Sequence, residues 1–309
     1  MSERVSTLPY VLITPARNEE AYIERTIESM LAQTVPPLRW VIVNDGSTDS
    51  TGAIVKRYLG RCDWLELVER PVRRERNFAA KVHSFNAGFE RVKDLGFAIV
   101  GNLDADVSFD PDYMEFLLKQ FDGDPTLGVA GTAFREDGGY SSDQNSFEGQ
   151  THVSGQCQIF RRQCFEEIGG YIPNKAGGID WMAVTTARMK GWKTRQFREK
   201  MFFHHRHLGT AERGRLASAF SYGEKDYYLG GSPAWEIFRA TYQMTNRPYV
   251  LAGLSLGLGY VSAMVRRVER PVSPELMAFH RTEQMKKLKT ILSSVLKFKR
   301  VDRFQVIPR

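Results

Sequence analysis

Two carboxylates flank one small residue in Asn102-Leu103-Asp104-Ala105-Asp106-Val107. Paired hard oxygen ligands on a short segment suit Mg2+ or Mn2+, whose coordination shells are commonly completed by substrate phosphates. A nucleoside diphosphate is therefore the ligand class to expect. The apolar run Phe97-Ala98-Ile99-Val100 leads directly into this segment and reads as a buried parallel strand. Ligands of open α/β sheets sit beyond the carboxyl ends of such strands, where the Asp-x-Asp falls.

Four further groups of residues carry chemistry. Asn44-Asp45-Gly46-Ser47-Thr48-Asp49 follows the apolar Trp40-Val41-Ile42-Val43. By residue type it is a tight turn and helix cap. With Asp104 and Asp106 on another strand tip, Asp45 gains a second role, accepting a hydrogen bond from a base N–H such as a pyrimidine imide offers. Arg70, Arg73, Arg74 and Arg76, then Lys81, form a basic stretch, and guanidinium groups bind diphosphate bidentately. Asp180 follows Gly177-Gly178-Ile179 and opens a helical pattern. Asp is a good N-cap. A carboxylate there also suits the proton acceptor that transfer to a hydroxyl requires. In His204-His205-Arg206-His207, three histidines in four residues at a strand end point to a metal or phosphate contact. Spacing does not choose among them, and His204 is preferred as the metal ligand.

The elements that must position these groups alternate. Tyr10–Ile13, Trp40–Val43, Leu65–Val68 and Phe97–Val100 read as strands. Helical patterns fall between them, one with Asn18 as cap and Ile23, Ile27, Met30 and Leu31 on one face, one reaching about Tyr58, one over 78–92. This βαβα order predicts a mostly parallel sheet with flanking helices. After Ala130 the pattern changes. The polar, Gly/Ser-rich stretch 136–149 is expected to be a mobile loop, 157–160 a short strand, and 180–189 a helix closed by Gly191.

With 309 residues the chain can bury a sizeable core. Three cysteines without a C-x-x-C pair argue for a reducing compartment, and the N-terminus lacks a signal-peptide pattern. The formal charge of +7 is concentrated: residues 281–309 hold nine Lys/Arg against two Asp/Glu, leaving 1–280 neutral. A basic tail on a neutral body suits an anionic membrane surface rather than nucleic acid. Ahead of it, 248–265 has no charged residue and is borderline for a spanning helix. The division expected is 1–246, with halves 1–130 and 131–246, followed by a helical membrane-associating region 247–309. No G-x-G-x-x-G after a strand, Walker A, G-x-S-x-G or H-E-x-x-H motif is present, which disfavours dehydrogenases, P-loop NTPases, α/β-hydrolases and zincins.

As a set, Thr14-Pro15-Ala16-Arg17-Asn18-Glu19-Glu20, Val43 to Asp49, Arg76-Asn77-Phe78-Ala79-Ala80-Lys81 with Asn86-Ala87-Gly88, and Asn102 to Val107 resemble the family 2 glycosyltransferases. The likeness covers about the first 210 residues and implies the Rossmann-like GT-A fold. It implies that Thr14, Ala16, Arg17, Glu19 and Asp45 hold the nucleoside, that Arg76 and Lys81 lie near the nucleotide, and that Asp104 approaches ribose or donor sugar. It further implies that Asp106 binds the metal, that a late histidine completes the metal shell, and that Asp180 activates the acceptor. The family usually has Glu-Asp at that last position, where Ile179 precedes Asp180 here. The Gln-x-x-Arg-Trp motif of processive synthases is absent.

The expectation is an inverting, metal-dependent transferase, using Mn2+ or Mg2+. It would move one sugar from a nucleoside-diphosphate sugar, a UDP-sugar by preference, to a glycan or lipid-linked acceptor, with 136–149 as a lid. A sugar-phosphate nucleotidyltransferase would carry an early Gly-rich loop, and 14–20 has no glycine. A silent nucleotide-sugar sensor would not need intact Asp104, Asp106 and Asp180. Nucleotide sugars are made in the cytoplasm, so the body is placed there. One crossing by 248–265 would put the basic tail on the opposite side, against the positive-inside rule. Peripheral or monotopic association at the cytoplasmic face removes the conflict. Leu276, Phe279, Leu288, Ile291, Leu292 and Val295 fall on one helix face there, with lysines around it.

Overall fold

The first apolar run extends further than its hydrophobic residues. It forms β1 (Tyr10–Ala16) and leads through α1 (Ile23–Leu31) to β2 (Arg39–Asp45), then through α2 (Thr51–Lys56) to β3 (Leu65–Arg70). Helix α3 (Phe78–Phe89) precedes β4 (Ile99–Leu103) and the two-residue β5 (Val107–Ser108). Then come α4 (Tyr113–Gly123), β6 (Leu127–Arg135), α5 (Ser142–Asn145), β7 (Cys157–Arg161), α6 (Arg162–Glu167), α7 (Ile179–Met189) and β8 (Lys193–His204). The last four helices among the described residues are α8 (Arg215–Tyr228), α9 (Pro233–Gln243), α10 (Leu251–Val265) and α11 (Pro274–Leu296). The structure, a computed structural model, describes residues 8–72, 78–137, 139–145, 149–174, 176–206, 214–245 and 248–297.

Among the described residues one sheet of eight strands runs in the order β3-β2-β1-β4-β7-β6-β8-β5. β3, β2, β1 and β4 are parallel. The apolar runs of β1, β2 and β4 are buried on both faces, as continuous hydrophobic runs require. Tyr10, Leu12, Trp40 and Ile42 join one core with Ile23, Ile27 and Met30 of α1 and Tyr113, Leu117 and Phe121 of α4. On the opposite face, Ile13 and Val43 abut Gly88 of α3. The strand order reverses between β1 and β4, which creates the crevice where α/β sheets bind ligands.

The second half of the sheet is mixed rather than parallel. β7 is antiparallel to both β4 and β6, β8 is parallel to β6, and β5 is antiparallel to β8. Buried strands are apolar whichever way they run, so hydrophobicity alone did not carry their direction.

The chain divides into two compact units, Met1–Arg206 and His207–Arg309. The change of composition at 246/247 falls inside the second unit, because α8 and α9 group with the later helices. The stretch 136–149 is not a free loop over its described part. Glu136, Ser141 and Ser142 are buried, Arg135 bridges Ser141, and the Ser142 hydroxyl accepts from the Phe134 N–H and from Gln196. Its serines satisfy backbone and side-chain donors, which composition alone does not reveal. Among the described residues no helix is long and apolar enough to cross a membrane.

Candidate active site at the strand tips

Asp45 is the last residue of β2 and is buried. Its register partner across β3 is Arg70, whose Nη1 donates to Asp45 Oδ1 at 3.1 Å and to Ser84 Oγ at 2.7 Å. Arg70 therefore ends a strand and orients Asp45 instead of standing in a basic loop. Arg73, Arg74 and Arg76 lie outside the described residues, as does His207.

The segment after β1 is laced to the segment after β2. Asn18 N–H donates to Ser47 Oγ, Glu19 N–H to Thr51 Oγ1 and Glu20 N–H to Asp49 Oδ2. In return Thr48 N–H donates to Asn18 Oδ1 and Ser50 N–H to Glu20 Oε2. Asn18 has φ 55° and does not cap α1, whose N-cap is Tyr22. Its side chain turns to the neighbouring loop, a conformation Asn tolerates better than most residues. Ala16 is buried at the end of β1 and Arg17 is partly exposed beyond it. Thr14 turns its side chain inward. It has no exposed surface and its hydroxyl accepts from Trp40 Nε1 at 2.9 Å. Its side chain belongs to the core, because residue 14 lies on the strand face that packs against Trp40.

Asp104 and Asp106 follow β4 directly. Lys81 on α3 donates to Asp104 Oδ1 at 2.5 Å, and Asn102 Nδ2 donates to the same oxygen at 3.0 Å. Pairing of β5 with β8 sets Val107 opposite His204, which brings His204 Nε2 to 3.6 Å from Asp106 Oδ2. His204 Nδ1 is 2.8 Å from Glu136 Oε1. The imidazole thus lies between two carboxylates, the arrangement that orients metal-binding histidines. Arg206 Nε is 3.3 Å from Asp106 Oδ2, and its Nη2 is 2.5 Å from Glu19 Oε2. His205 faces elsewhere, with Nε2 2.9 Å from Ser108 Oγ and Nδ1 3.2 Å from Arg25.

These contacts drive the two neighbouring carboxylates apart. Burial raises the Asp104 pKa, Lys81 works against it, and Asp106 reinforces it, leaving a net rise. Burial also works to raise Asp106, but His204, then Arg206 and Lys81, outweigh it and hold Asp106 below the usual carboxylate range. Burial works to lower Lys81, and Asp104, with Asp180 and Asp106 adding, holds it above the usual lysine value. His204 is likewise raised, as Asp106 and Glu136 overcome its burial. Burial, reinforced by Asp106, pushes Glu19 up to about 7 against the pull of Arg206. Paired titratable groups with opposed shifts mark functional sites.

Asp106 Oδ1 is buried and has no hydrogen-bond partner among the described residues, and the same is true of Asn102 Oδ1. An unsatisfied buried acceptor costs about 1–3 kcal/mol, more when charged. Such atoms fit a cation that the fold itself does not supply. Among the described residues no three His, Cys, Asp or Glu side chains form a ready metal site. The Asp106–His204 pair would leave the remaining positions to diphosphate oxygens and water, as Mg2+ and Mn2+ usually do.

Asp180 is the second residue of α7, whose N-cap is Gly178 in the left-handed conformation at φ 79°. The expected Asp180 N-cap is thus supplied by glycine backbone two residues earlier. Asp180 sits against Gly155, where an added Cβ would come 2.9 Å from Asp180 Cβ. Gly155 O accepts from Asn102 Nδ2 at 2.6 Å. Asn102 and Gly155 therefore link the 102–106 segment to Asp180. Sequence reading included Asn102 in the acidic motif without a role for it, and singled out none of Gly155, Glu136 and Arg206. Of the last three, only Arg206 carried a local signal, as the lone arginine in the histidine cluster.

The family model for glycosyl transferase family 2 matches residues 11–177, more than half of the chain and most of the unit that holds these groups. The chain is 33% identical over 132 residues to a hyaluronan synthase of Pasteurella multocida, covering 42% of this chain and 13% of that protein. It is 30% identical over 112 residues to a poly-beta-1,6-N-acetyl-D-glucosamine synthase of Staphylococcus epidermidis, covering 36% of this chain and 25% of that protein. The matches thus span a quarter or less of these two relatives. Among solved structures, a Pyrobaculum calidifontis mannosyltransferase in complex with GDP-Man and Mn2+ aligns with a TM-score of 0.56 at 18% identity, covering 97% of this chain and 83% of that one. Staphylococcus aureus TarS in complex with UDP-GlcNAc aligns with a TM-score of 0.56 at 15% identity, covering 96% and 89%. At such identities the structural likeness speaks for the fold alone. Fold, motif order and family match coincide on one unit, and the chain belongs to glycosyl transferase family 2.

Proposed function

We propose that the protein is an inverting glycosyltransferase that moves one sugar from a nucleoside-diphosphate sugar to an acceptor hydroxyl. The observation that carries this reading is the meeting of Asp106, with its unpartnered buried oxygen, and His204 beside Lys81, Asp104 and Asp180. The solved relatives bound to GDP-Man with Mn2+ and to UDP-GlcNAc add support for a nucleotide-sugar donor. The polysaccharide synthases among the relatives support a glycan acceptor.

In this reading the acceptor oxygen attacks the anomeric carbon while the bond to the departing diphosphate breaks on the opposite face. Asp180 takes the acceptor proton. Asp45, oriented by Arg70, receives a base N–H. Arg17, Glu19 and the 17–20 backbone border the nucleoside, and Lys81 holds Asp104 toward the sugar. Asp106 and His204 would hold Mn2+ or Mg2+, which supplies Lewis-acid stabilisation of charge on the leaving group.

A thermal-shift screen of UDP-, GDP- and dTDP-sugars with and without Mn2+ tests the reading. A metal-dependent rise in Tm with one nucleotide class, UDP first, is expected. A chain that no nucleotide sugar stabilises, with or without metal, would lack the proposed activity.

Gly155 offers a sharper test of the link to Asp180. Gly155→Ala puts a methyl group against Asp180. Misplacing a catalytic group by an ångström costs on the order of 10²-fold in rate. Turnover is expected to fall by about that factor with donor affinity unchanged. Steady-state kinetics beside calorimetry reads both, and a loss of donor affinity equal to the loss of turnover would contradict it.

A further inference from the structure

Residues 248–265 contain no charged side chain, and the C-terminal unit packs them in reverse of the usual order. Helix α10 lies against α8 and α9 through its smallest residues. A Cβ on Gly259 would run into the Phe220 carbonyl, one on Gly253 into the Ala240 carbonyl, and one on Gly223 of α8 into the Leu256 carbonyl. Leu256 and Tyr260 are buried beside these glycines, but most of the other large residues stand outward. Leu251, Leu254, Leu258, Val261 and Val265 recur at alternating spacings of three and four and are exposed, Leu258 by 61% and Val265 by 73%. A helix bordered by water buries its leucines and turns polar residues outward. Glycines at the helix contact and leucines outside are the packing of a helix whose outer medium is apolar.

The spacing alone would also serve a coiled-coil seam with a second copy. Such seams are flanked by charged positions that set partner and orientation, and this helix has none. The stripe instead begins beside exposed Tyr249 and ends at exposed Arg266 and Arg267. The end of α11 exposes Leu292, Val295 and Leu296 as well, within the 281–309 stretch that holds the chain's net positive charge. Apolar residues bounded by an aromatic and by arginines match a bilayer interface with anionic headgroups. The fifteen residues of α10 rise about 22 Å, less than the roughly 30 Å hydrocarbon thickness.

We propose that the outer face of α10 is a monotopic seat on an anionic lipid surface. The helix lies in the interface plane with Leu254, Leu258 and Val261 in the acyl boundary. Arg266, Arg267 and the basic C-terminal residues contact headgroups. This seat is independent of the catalytic reading, and its test needs no activity.

Flotation of the full chain is compared on phosphatidylcholine vesicles and on mixed phosphatidylcholine–phosphatidylglycerol vesicles at low salt. Binding to the mixed vesicles is expected. Leu254→Glu with Leu258→Glu should lower the bound fraction at least about tenfold, with circular dichroism and Tm unchanged because both side chains are exposed. Arg266→Glu with Arg267→Glu should weaken binding to the anionic vesicles alone. Should the leucine pair lose its fold, Leu258→Ser alone gives the same reading with a smaller change. Full-length protein that stays unbound on anionic vesicles overturns the proposal, as do stripe variants that float like the parent. A stripe variant that turns a dimer into a monomer in light scattering, with flotation unaltered, assigns the face to a second copy instead.

Discussion

Asp106→Ala should remove metal-dependent donor binding and lower transfer by ~10³-fold or more. Lewis-acid stabilisation by a bound metal is worth several kcal/mol, and each ~1.4 kcal/mol is a factor of ten in rate. The fold should survive. Asp106 packs through its backbone, where its carbonyl accepts the His205 N–H at 2.8 Å. The substitution also removes a buried carboxylate oxygen that the fold leaves unpartnered. Part of the stability lost with the His204 and Arg206 contacts is therefore recovered. Titration calorimetry with Mn2+ and a nucleotide sugar measures the binding half, and circular dichroism the fold. Donor affinity in the variant that matches the parent, with the same dependence on Mn2+, would remove Asp106 from the metal site.

Asp180→Asn separates binding from proton transfer. The side chain keeps its volume beside Gly155, and α7 keeps its Gly178 N-cap, so neither local packing nor helix start should change. Removing a general base costs ~10²–10⁴-fold, and transfer should fall within that range with metal and donor binding intact. Single-turnover kinetics on preloaded protein isolates the step. Near-normal transfer would mean another group accepts the proton. A product that retains the donor's anomeric configuration would exclude the single displacement altogether.

The half of the molecule that was legible from sequence is the half governed by local pattern. Buried parallel strands are continuous apolar runs, and β1, β2 and β4 fall where those runs lie, each extending two or three residues beyond them into the polar tips. Asp45, Asp104 and Asp106 stand out in the sequence because a strand end fixes where its next residues go. What stayed hidden depends on pairing across the chain. Glu136 meets His204 across 68 residues, and Arg206 meets Glu19 across 187. Neither separation leaves a trace in composition. Gly155 matters for an atom it lacks, and a lone glycine in a polar stretch reads as a turn. Thr14 shows the opposite limit. A strand residue's face is set by its neighbours' packing, and Trp40 claims its hydroxyl.

The reciprocal hydrogen bonds between the segments after β1 and β2 bear on the entropy of ligand capture. Serine, threonine and aspartate side chains at 47, 49 and 51 receive backbone N–H groups of 18, 19 and 20, while Asn18 and Glu20 receive those of 48 and 50. Fixing one residue's backbone costs about 1–2 kcal/mol in conformational entropy. A rim left loose would lose that at each encounter and would weaken binding by the same amount. Here the rim is ordered at folding, so a ligand that binds in the crevice beside it would not have to meet that ordering cost again.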